Sequence, residues 1–107
     1  VEQFEIFMED YFIKQCFKVK RTQLSGDYGI DLIIENDFSK IGIQAKCYSN
    51  KITASAVQEA VAGLRHYGLS SGMVVTNNYF QPAAIQLAKE NSITLWDRNM
   101  LIKKLND

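Results

Sequence analysis

Apolar side chains follow two different periods along the chain, and the change of period separates helices from strands. Near the N-terminus they recur at the i, i+3, i+4, i+7 and i+8 positions of one helix face, which predicts an amphipathic helix over residues 1–15. The residues of this stripe are Phe4, Phe7, Met8, Tyr11 and Phe12. A short alternation over residues 17–23 then predicts the first strand.

Two more strands follow, separated by polar segments. Residues 24–29 contain two glycines that can adopt positive φ, which predicts a loop. A mostly apolar strand with one acid, Asp31, covers residues 30–34. After a polar turn over 35–39, residues 40–48 form a third strand. Three consecutive strands with short connections predict an antiparallel meander.

The second half of the chain alternates helices with strands. Thr53 is the expected N-cap of a helix that Gly68 ends, Pro82 suits the first turn of the next helix, and Asp97 caps the last one. The predicted elements are a helix over 53–67, a strand over 71–76, a helix over 80–91, a strand over 93–96 and a helix over 97–105. The resulting order α-β-β-β-α-β-α-β-α predicts an α/β fold. In it, parallel strands joined by crossovers extend the meander, and helices cover both faces of one mixed sheet.

Composition places the chain among ordinary globular domains. Its 107 residues are 47% hydrophobic and 22% charged, so we expect one domain over residues 1–107. No apolar run reaches the length needed to span a membrane, so no membrane contact is expected from this segment. Because the chain opens with Val1 rather than Met, we expect a fragment of a longer protein. Cys16 and Cys47 lack the spacing of a metal site, which favours reduced core thiols in the cytoplasm.

The third strand carries the candidate chemistry. Successive side chains of a strand point to opposite faces, so Gln44 and Lys46 share a face and lie roughly 7 Å apart. An antiparallel pairing through a short turn brings Asp31 beside Gln44. An acid, an amide and a lysine therefore converge on one patch of the sheet. A structural ion pair between Asp31 and Lys46 is the alternative explanation.

This set of groups suits phosphodiester hydrolysis. Mg²⁺ prefers oxygen ligands, which the Asp31 carboxylate, the Gln44 carbonyl and the Ala45 backbone carbonyl can supply. A bound metal lowers the pKa of its water and stabilises charge on the scissile phosphate. Lys46 can orient that water or offset the charge that builds in the transition state. As a cation beside a metal, Lys46 is expected to have a depressed pKa.

Two motifs also carry a resemblance to a known family. Gly26-Asp-Tyr-Gly-Ile-Asp31 followed by Ile43-Gln-Ala-Lys46 resembles the catalytic domain of Mrr-type restriction endonucleases. These belong to the PD-(D/E)xK nuclease superfamily, in the branch whose motif reads Asp…Gln-x-Lys. The likeness extends along the chain through Phe4-Glu5, Val57-Gln-Glu59, Val75-Thr76 and Ile93-Thr-Leu-Trp-Asp97.

The resemblance implies a restriction-endonuclease-like fold and cleavage of double-stranded DNA that depends on Mg²⁺, with Mn²⁺ as a substitute. It assigns Asp31 and Gln44 to the metal site and makes Lys46 the catalytic lysine. Glu5 matches the helix-borne acid that completes such sites, although a solvated Glu is the alternative, and Glu9 is its neighbouring candidate. Gln44 stands where most of these nucleases carry Glu, so we expect the metal to bind loosely until the DNA phosphate adds its oxygens.

Other residues are candidates for supporting roles. Gln58 could reach the site from the central helix, whereas Asp27 before a glycine is either a supporting acid or a turn former. Lys18 and Lys20 share a face of the first strand and are candidates for DNA contact; a charged edge strand that discourages aggregation is the alternative. The remaining candidates for DNA contact lie in turns: Lys51, Thr76 and Asn77.

Three function classes follow. The first is a type IV, Mrr-like endonuclease whose target can include modified DNA and whose recognition domain lies elsewhere in the full-length chain; a homodimer is the simplest way to cut both strands. The charges of the chain's 12 basic and 12 acidic residues cancel, which disfavours a stand-alone DNA binder. The second class is a Holliday-junction or other structure-selective or repair nuclease. The third is a non-catalytic DNA-binding or assembly module that keeps the fold.

Overall fold

Within residues 2–22 and 29–107, which the computed structural model describes, the chain forms four helices and five strands. Their bounds in chain order are α1 (Glu2–Lys14), β1 (Lys18–Arg21), β2 (Leu32–Glu35), β3 (Lys40–Lys46), α2 (Ala54–Tyr67), β4 (Ser71–Thr76), α3 (Pro82–Glu90), β5 (Ile93–Trp96) and α4 (Arg98–Leu105). This order is the predicted one. β4 and β5 have their predicted bounds, while β1 and β2 are shorter than expected.

The five strands form one sheet in the order β1-β2-β3-β4-β5. β1, β2 and β3 pair in antiparallel fashion, which confirms the predicted meander. β3, β4 and β5 pair in parallel, with α2 and α3 as the connections. The prediction of a mixed α/β sheet is therefore confirmed.

Local signals in the sequence fix the ends of the later helices. Gly68 ends α2 in the left-handed conformation, at φ 67°, and its N–H donates to the Arg65 carbonyl. Pro82 occupies the first turn of α3, where a missing N–H donor has no cost. The Asp97 carboxylate accepts the Met100 N–H at 2.9 Å and caps α4.

The sheet separates two apolar layers. The α2/α3 layer packs the buried faces of those helices on the strands, and its buried residues are Ile30, Ile52, Ala56, Val57, Ala60, Leu64, Val74, Phe80, Ala84, Ala88 and Ile93. The α1/α4 layer lies on the opposite face and buries Met8, Phe12, Leu32, Ile34, Ile43, Ala45, Met73, Val75 and Leu101. Because side chains alternate along β3, Gln44 and Lys46 lie on the α2/α3 face, opposite Ile43 and Ala45.

The structure corrects two expectations about the core. Cys16 and Cys47 are both exposed, because Cys16 lies beyond the end of α1 and Cys47 beyond the end of β3. Phe7, predicted to lie in the buried stripe of the first helix, is 46% exposed, while Met8 and Phe12 carry the burial. In the parts of the chain that the structure describes, no helix is both long and apolar enough to cross a membrane.

Candidate active site

Asp31 lies immediately before β2 and beside the middle of β3. The pairing of Leu32 with Ile43 sets this register, and the Asp31 N–H donates to the Ile43 carbonyl at 2.7 Å. The Asp31 side chain turns onto β3, where its Oδ2 accepts the Ala45 N–H at 2.8 Å. The structure thus brings Asp31 to the β3 residues with which it was predicted to act.

Gln44 is buried on the α2/α3 face with only half of its amide satisfied. Its side chain is 2% exposed, and Nε2 donates to Oε1 of Glu59 on α2 at 3.0 Å. The carbonyl oxygen Oε1 of Gln44 is buried and has no hydrogen-bond partner among the described residues. A buried amide oxygen without a partner is uncommon in folded proteins, since its desolvation costs about 1–3 kcal/mol.

Lys46 lies two residues further along β3 and shares the same acceptor. Its Nζ donates to Oε1 of Glu59 at 3.1 Å and to the Tyr48 hydroxyl at 3.3 Å. The ammonium also lies 5.3 Å from the centroid of the Tyr48 ring. The short ion pair of Lys46 is therefore with Glu59 rather than with Asp31, so the alternative of an Asp31–Lys46 pair is not what the structure contains.

Burial and the neighbouring charges act differently on the two ionisable groups. Burial raises the pKa of Asp31 above its ordinary value; the Ala45 N–H and the Lys46 charge only partly oppose this, and Glu59 adds to it. Burial alone lowers the pKa of Lys46, but the hydrogen bonds that its ammonium donates to Glu59 and Tyr48, together with the Glu59 charge, outweigh burial and leave that pKa raised. In the chain without metal the Lys46 pKa is therefore raised, because an acid on α2 holds the ammonium; the expected depression beside a bound metal stays a prediction.

Glu5 on α1 reaches the edge of this group. Burial raises the pKa of the Glu5 carboxyl, the nearby Asp31 charge raises it further, and the Arg21 charge opposes them. Arg21 lies on β1 with its Nη2 3.8 Å from Oε1 of Glu5. Glu5 is thus close enough to Asp31 for the two charges to interact, while its direct contact is with Arg21.

Gly29 explains how α2 comes so close to the backbone two residues before Asp31. Its φ is 73°, in the region that favours glycine, and a Cβ at this position would lie 2.1 Å from the backbone oxygen of Glu59. Only a residue without a side chain therefore lets this part of α2 pack against the backbone at position 29. The predicted positive φ is confirmed at Gly29, and the same contact fixes the backbone of Glu59.

An open cleft of about 240 Å³ adjoins Lys46. Lys51, a candidate for DNA contact, is exposed and lies on its wall. The other residues of the cleft come from the end of β3 and the start of α2: Lys46, Tyr48, Asn50, Ile52, Thr53, Ser55, Ala56 and Glu59. A phosphate entering this cleft would meet two lysine side chains.

The candidates Thr76 and Asn77 lie beside the end of β3, where they make structural contacts. Thr76 is fully buried, so it cannot contact DNA, and its hydroxyl instead accepts the Asn78 N–H at 3.1 Å. Oδ1 of Asn77 accepts the Tyr48 N–H at 2.9 Å, which ties the ends of β3 and β4 together. Asp27 lies outside the described residues.

The sequence predicts that Gln58 reaches the site from the central helix, whereas in the structure its neighbour Glu59 does so. Each helical residue turns by about 100°, which puts Gln58 about 160° and Glu59 about 100° from the centre of the buried stripe of α2. That stripe consists of Ala56, Val57, Ala60, Gly63 and Leu64. The phase of this stripe could have selected Glu59, which lies at its flank and contacts Gln44 and Lys46 of β3, over Gln58, which lies further from the stripe.

The donor set determines which kind of metal the site suits. Among residues 2–22 and 29–107, no cluster of three or more His, Cys, Asp or Glu side chains is arranged to hold a metal ion. The available donors are one carboxylate, on Asp31, and one buried carbonyl oxygen without a partner, on Gln44. Mg²⁺ binds through one or two carboxylates and keeps several waters, so these residues fit it better than a transition metal that requires a full protein cage.

Comparison with known proteins agrees with a restriction-endonuclease-like fold for this chain. The family model Mrr_cat, described as restriction endonuclease, matches residues 1–105. No curated protein matches the sequence.

Solved structures similar to this chain include three nucleases. MspJI restriction endonuclease, in complex with a 27-mer oligonucleotide, superposes with a TM-score of 0.60 and 22% identity over 91% of this chain and 25% of its own. The DNA modification-dependent restriction endonuclease AspBHI gives 0.66 and 20% over 83% and 26%. Hjc, a Holliday junction resolvase from Archaeoglobus fulgidus, gives 0.55 and 20% over 70% and 62%. The chain therefore spans about a quarter of the two restriction enzymes, and at these identities the likeness shows the fold.

Proposed function

Since the chain belongs to the Mrr_cat family of restriction endonucleases and has their nuclease fold, we propose that it is a metal-dependent endonuclease domain that hydrolyses phosphodiester bonds of double-stranded DNA. The observation that supports this most is the unsatisfied oxygen of Gln44. This oxygen is buried next to Ala45, whose N–H donates to the Asp31 carboxylate. It lies on the face of the sheet that also carries the Lys46 ammonium. Folding alone gives no reason to bury an unpaired acceptor there.

Asp31 and Gln44 would hold the metal through their side-chain oxygens, and the Ala45 carbonyl is the third proposed ligand. Mg²⁺ bound there would supply an activated water and neutralise charge on the scissile phosphate. The Lys46 ammonium is held by its hydrogen bonds to Glu59 and Tyr48. It would act as a fixed positive charge that offsets the developing negative charge on the phosphate. Glu5 would add a second carboxylate at the edge of the site.

The choice of target would lie outside this segment. The chain has no net charge, which suits a cutting unit directed by another domain better than an autonomous DNA binder. AspBHI, which shares the fold, is a DNA modification-dependent restriction endonuclease. We accordingly propose a restriction role in which DNA modification can be part of the target, and a homodimer for cutting both strands.

Incubation of the chain with plasmid, methylated plasmid and a four-way DNA junction tests the proposal. Cleavage of duplex DNA is expected in Mg²⁺ or Mn²⁺ and not in a chelator. Lys46→Ala should cut at least about 100-fold more slowly, whereas Lys103→Ala, which removes an exposed lysine of α4, should cut like wild type. Preference for the junction would favour the resolvase class to which Hjc belongs. No cleavage of any DNA would favour a non-catalytic module.

A further inference from the structure

Glu59 is not part of the Asp…Gln-x-Lys motif, yet one of its oxygens joins two residues of that motif. Oε1 accepts from Nε2 of Gln44 at 3.0 Å and from Nζ of Lys46 at 3.1 Å. The glutamate side chain is 50% exposed, so it contributes little to the core. Its backbone is held in place because α2 packs directly on Gly29.

The contact with Glu59 determines which end of the Gln44 amide faces away from α2. A carboxylate oxygen can only accept, so it selects the NH₂ end of the amide. If the amide rotated by half a turn, its oxygen would replace the donor at 3.0 Å from the carboxylate, and two acceptors would repel each other. The rotation would also leave the buried NH₂ group without this bond, at a cost of about 1–3 kcal/mol.

We propose that Glu59 is a positioning residue of the nuclease site, which turns the Gln44 amide so that its oxygen faces the metal and holds the Lys46 ammonium beside it. The metal and the nuclease activity rest on the proposed function, whereas the orientation of the amide rests on its contact with Glu59. A glutamine in this position, unlike a glutamate, has two unlike ends, and a fixed hydrogen-bond acceptor is needed to present the oxygen. Glu59 supplies that acceptor from a different element of the fold.

The orientation of the amide can be measured without metal or DNA. In ¹⁵N-labelled protein, the Gln44 side-chain amide is the signal that disappears in Gln44→Glu. Glu59→Ala should speed the exchange of its hydrogen-bonded proton with water by about 10-fold, the factor that corresponds to loss of one ordinary hydrogen bond. Glu59→Gln keeps a carbonyl acceptor and should restore slow exchange. Glu90→Ala removes an exposed acid of α3 and should leave the signal unchanged.

Titration with Mn²⁺ alone separates positioning from direct ligation. Glu59→Ala should weaken Mn²⁺ binding by about 10-fold or more, the usual effect of removing a residue that orients a ligand. In the Gln44→Glu background the same substitution should cause no weakening, because a carboxylate has two like oxygens and needs no orientation. In cleavage assays Glu59→Ala should lower kcat and leave KM for DNA unchanged, since Glu59 is not proposed to contact DNA.

Two results would overturn the proposal. An unchanged exchange rate of the Gln44 side-chain amide proton in Glu59→Ala would show that Glu59 does not orient the amide. Equal weakening of Mn²⁺ binding in both backgrounds would make Glu59 a direct ligand. If the amide and Mn²⁺ experiments give the expected results but no protein cuts DNA, the proposed function fails and the positioning role of Glu59 stands.

Discussion

Asp31 carries a charge that its own surroundings disfavour. Burial raises the pKa of its carboxyl, and neither the Ala45 N–H nor the Lys46 ammonium restores the ordinary value. The folded chain therefore binds this proton more tightly than the unfolded chain does. As the pH rises from the ordinary pKa of 3.8 through the raised value, ionisation of Asp31 lowers the free energy of unfolding.

Replacing Asp31 by Asn should accordingly stabilise the metal-free protein. Asn keeps an oxygen that can accept the Ala45 N–H but has no charge to desolvate. We expect a higher midpoint of urea unfolding for Asp31→Asn than for wild type at pH 7, with the difference vanishing as the pH falls below 3.8. Identical midpoints at pH 7 would show that the folded site imposes no cost on the Asp31 charge.

At the scale of single residues, strand periodicity and a short connection are enough to predict that three residues of the candidate site lie together. Alternation puts Gln44 and Lys46 on one face, and a short antiparallel connection puts Asp31 next to them. The contact of Glu59 with Gln44 and Lys46 could not be predicted from strand periodicity, because it depends on how α2 is rotated against β3. The raised pKa of Lys46 in the metal-free chain could not be predicted for the same reason, since it depends on the Glu59 side chain.

The close approach of α2 to the backbone before Asp31 depends on one position, Gly29. Gly29 and Gly68 both have positive φ, of 73° and 67°, but a Cβ at Gly68 would meet no atom within 4 Å. Gly68→Ala should therefore lose only about 1 kcal/mol of unfolding free energy, the cost of the left-handed conformation. Gly29→Ala should lose about 2–4 kcal/mol, because the Cβ also collides with the Glu59 backbone.

Chemical denaturation of Gly29→Ala and Gly68→Ala measures this difference in unfolding free energy. Both variants place an alanine at a similar positive φ, so the backbone strain is nearly equal in the two. Gly29→Ala should also weaken Mn²⁺ binding, since the collision moves Glu59, while Gly68→Ala should not. Equal losses of stability in both variants would mean that the close approach of α2 to Gly29 contributes nothing.

At the scale of elements, the sequence signals that succeeded are local ones. Gly68, Pro82 and Asp97 act within a turn of the helix that each begins or ends, so they can be recognised without knowing the fold. Burial is set by more distant neighbours. Thr76, a candidate for DNA contact at the end of the predicted strand, is paired in parallel with Lys46 and fully buried.

The molecule as a whole has no net charge, so any electrostatic contact with DNA must come from a local surface. Lys18 and Lys20 are exposed on the edge strand β1, on the face of the sheet that carries Gln44 and Lys46. Lys20 pairs with Ile33, two residues from Asp31 on the neighbouring strand. A DNA strand passing the site would therefore run close to these two side chains.

Loss of both lysines should weaken DNA binding and reduce its salt dependence. For the double variant Lys18→Ala/Lys20→Ala, we expect the slope of log Kd against log salt concentration to fall by about 2, one for each phosphate contact removed. The matched double variant Lys89→Ala/Lys103→Ala should keep the wild-type slope. An unchanged slope in the first variant would identify the β1 lysines as a charged edge that prevents aggregation.

The most direct test of the central claim is the single-turnover rate of plasmid cleavage by Asp31→Asn in Mg²⁺. This variant is expected to fold at least as stably as wild type, so a loss of cleavage cannot come from unfolding. The proposed site predicts a rate at least about 100-fold below that of wild type. A rate within a few-fold of wild type would contradict the claim that Asp31, Gln44 and Lys46 form the cutting site.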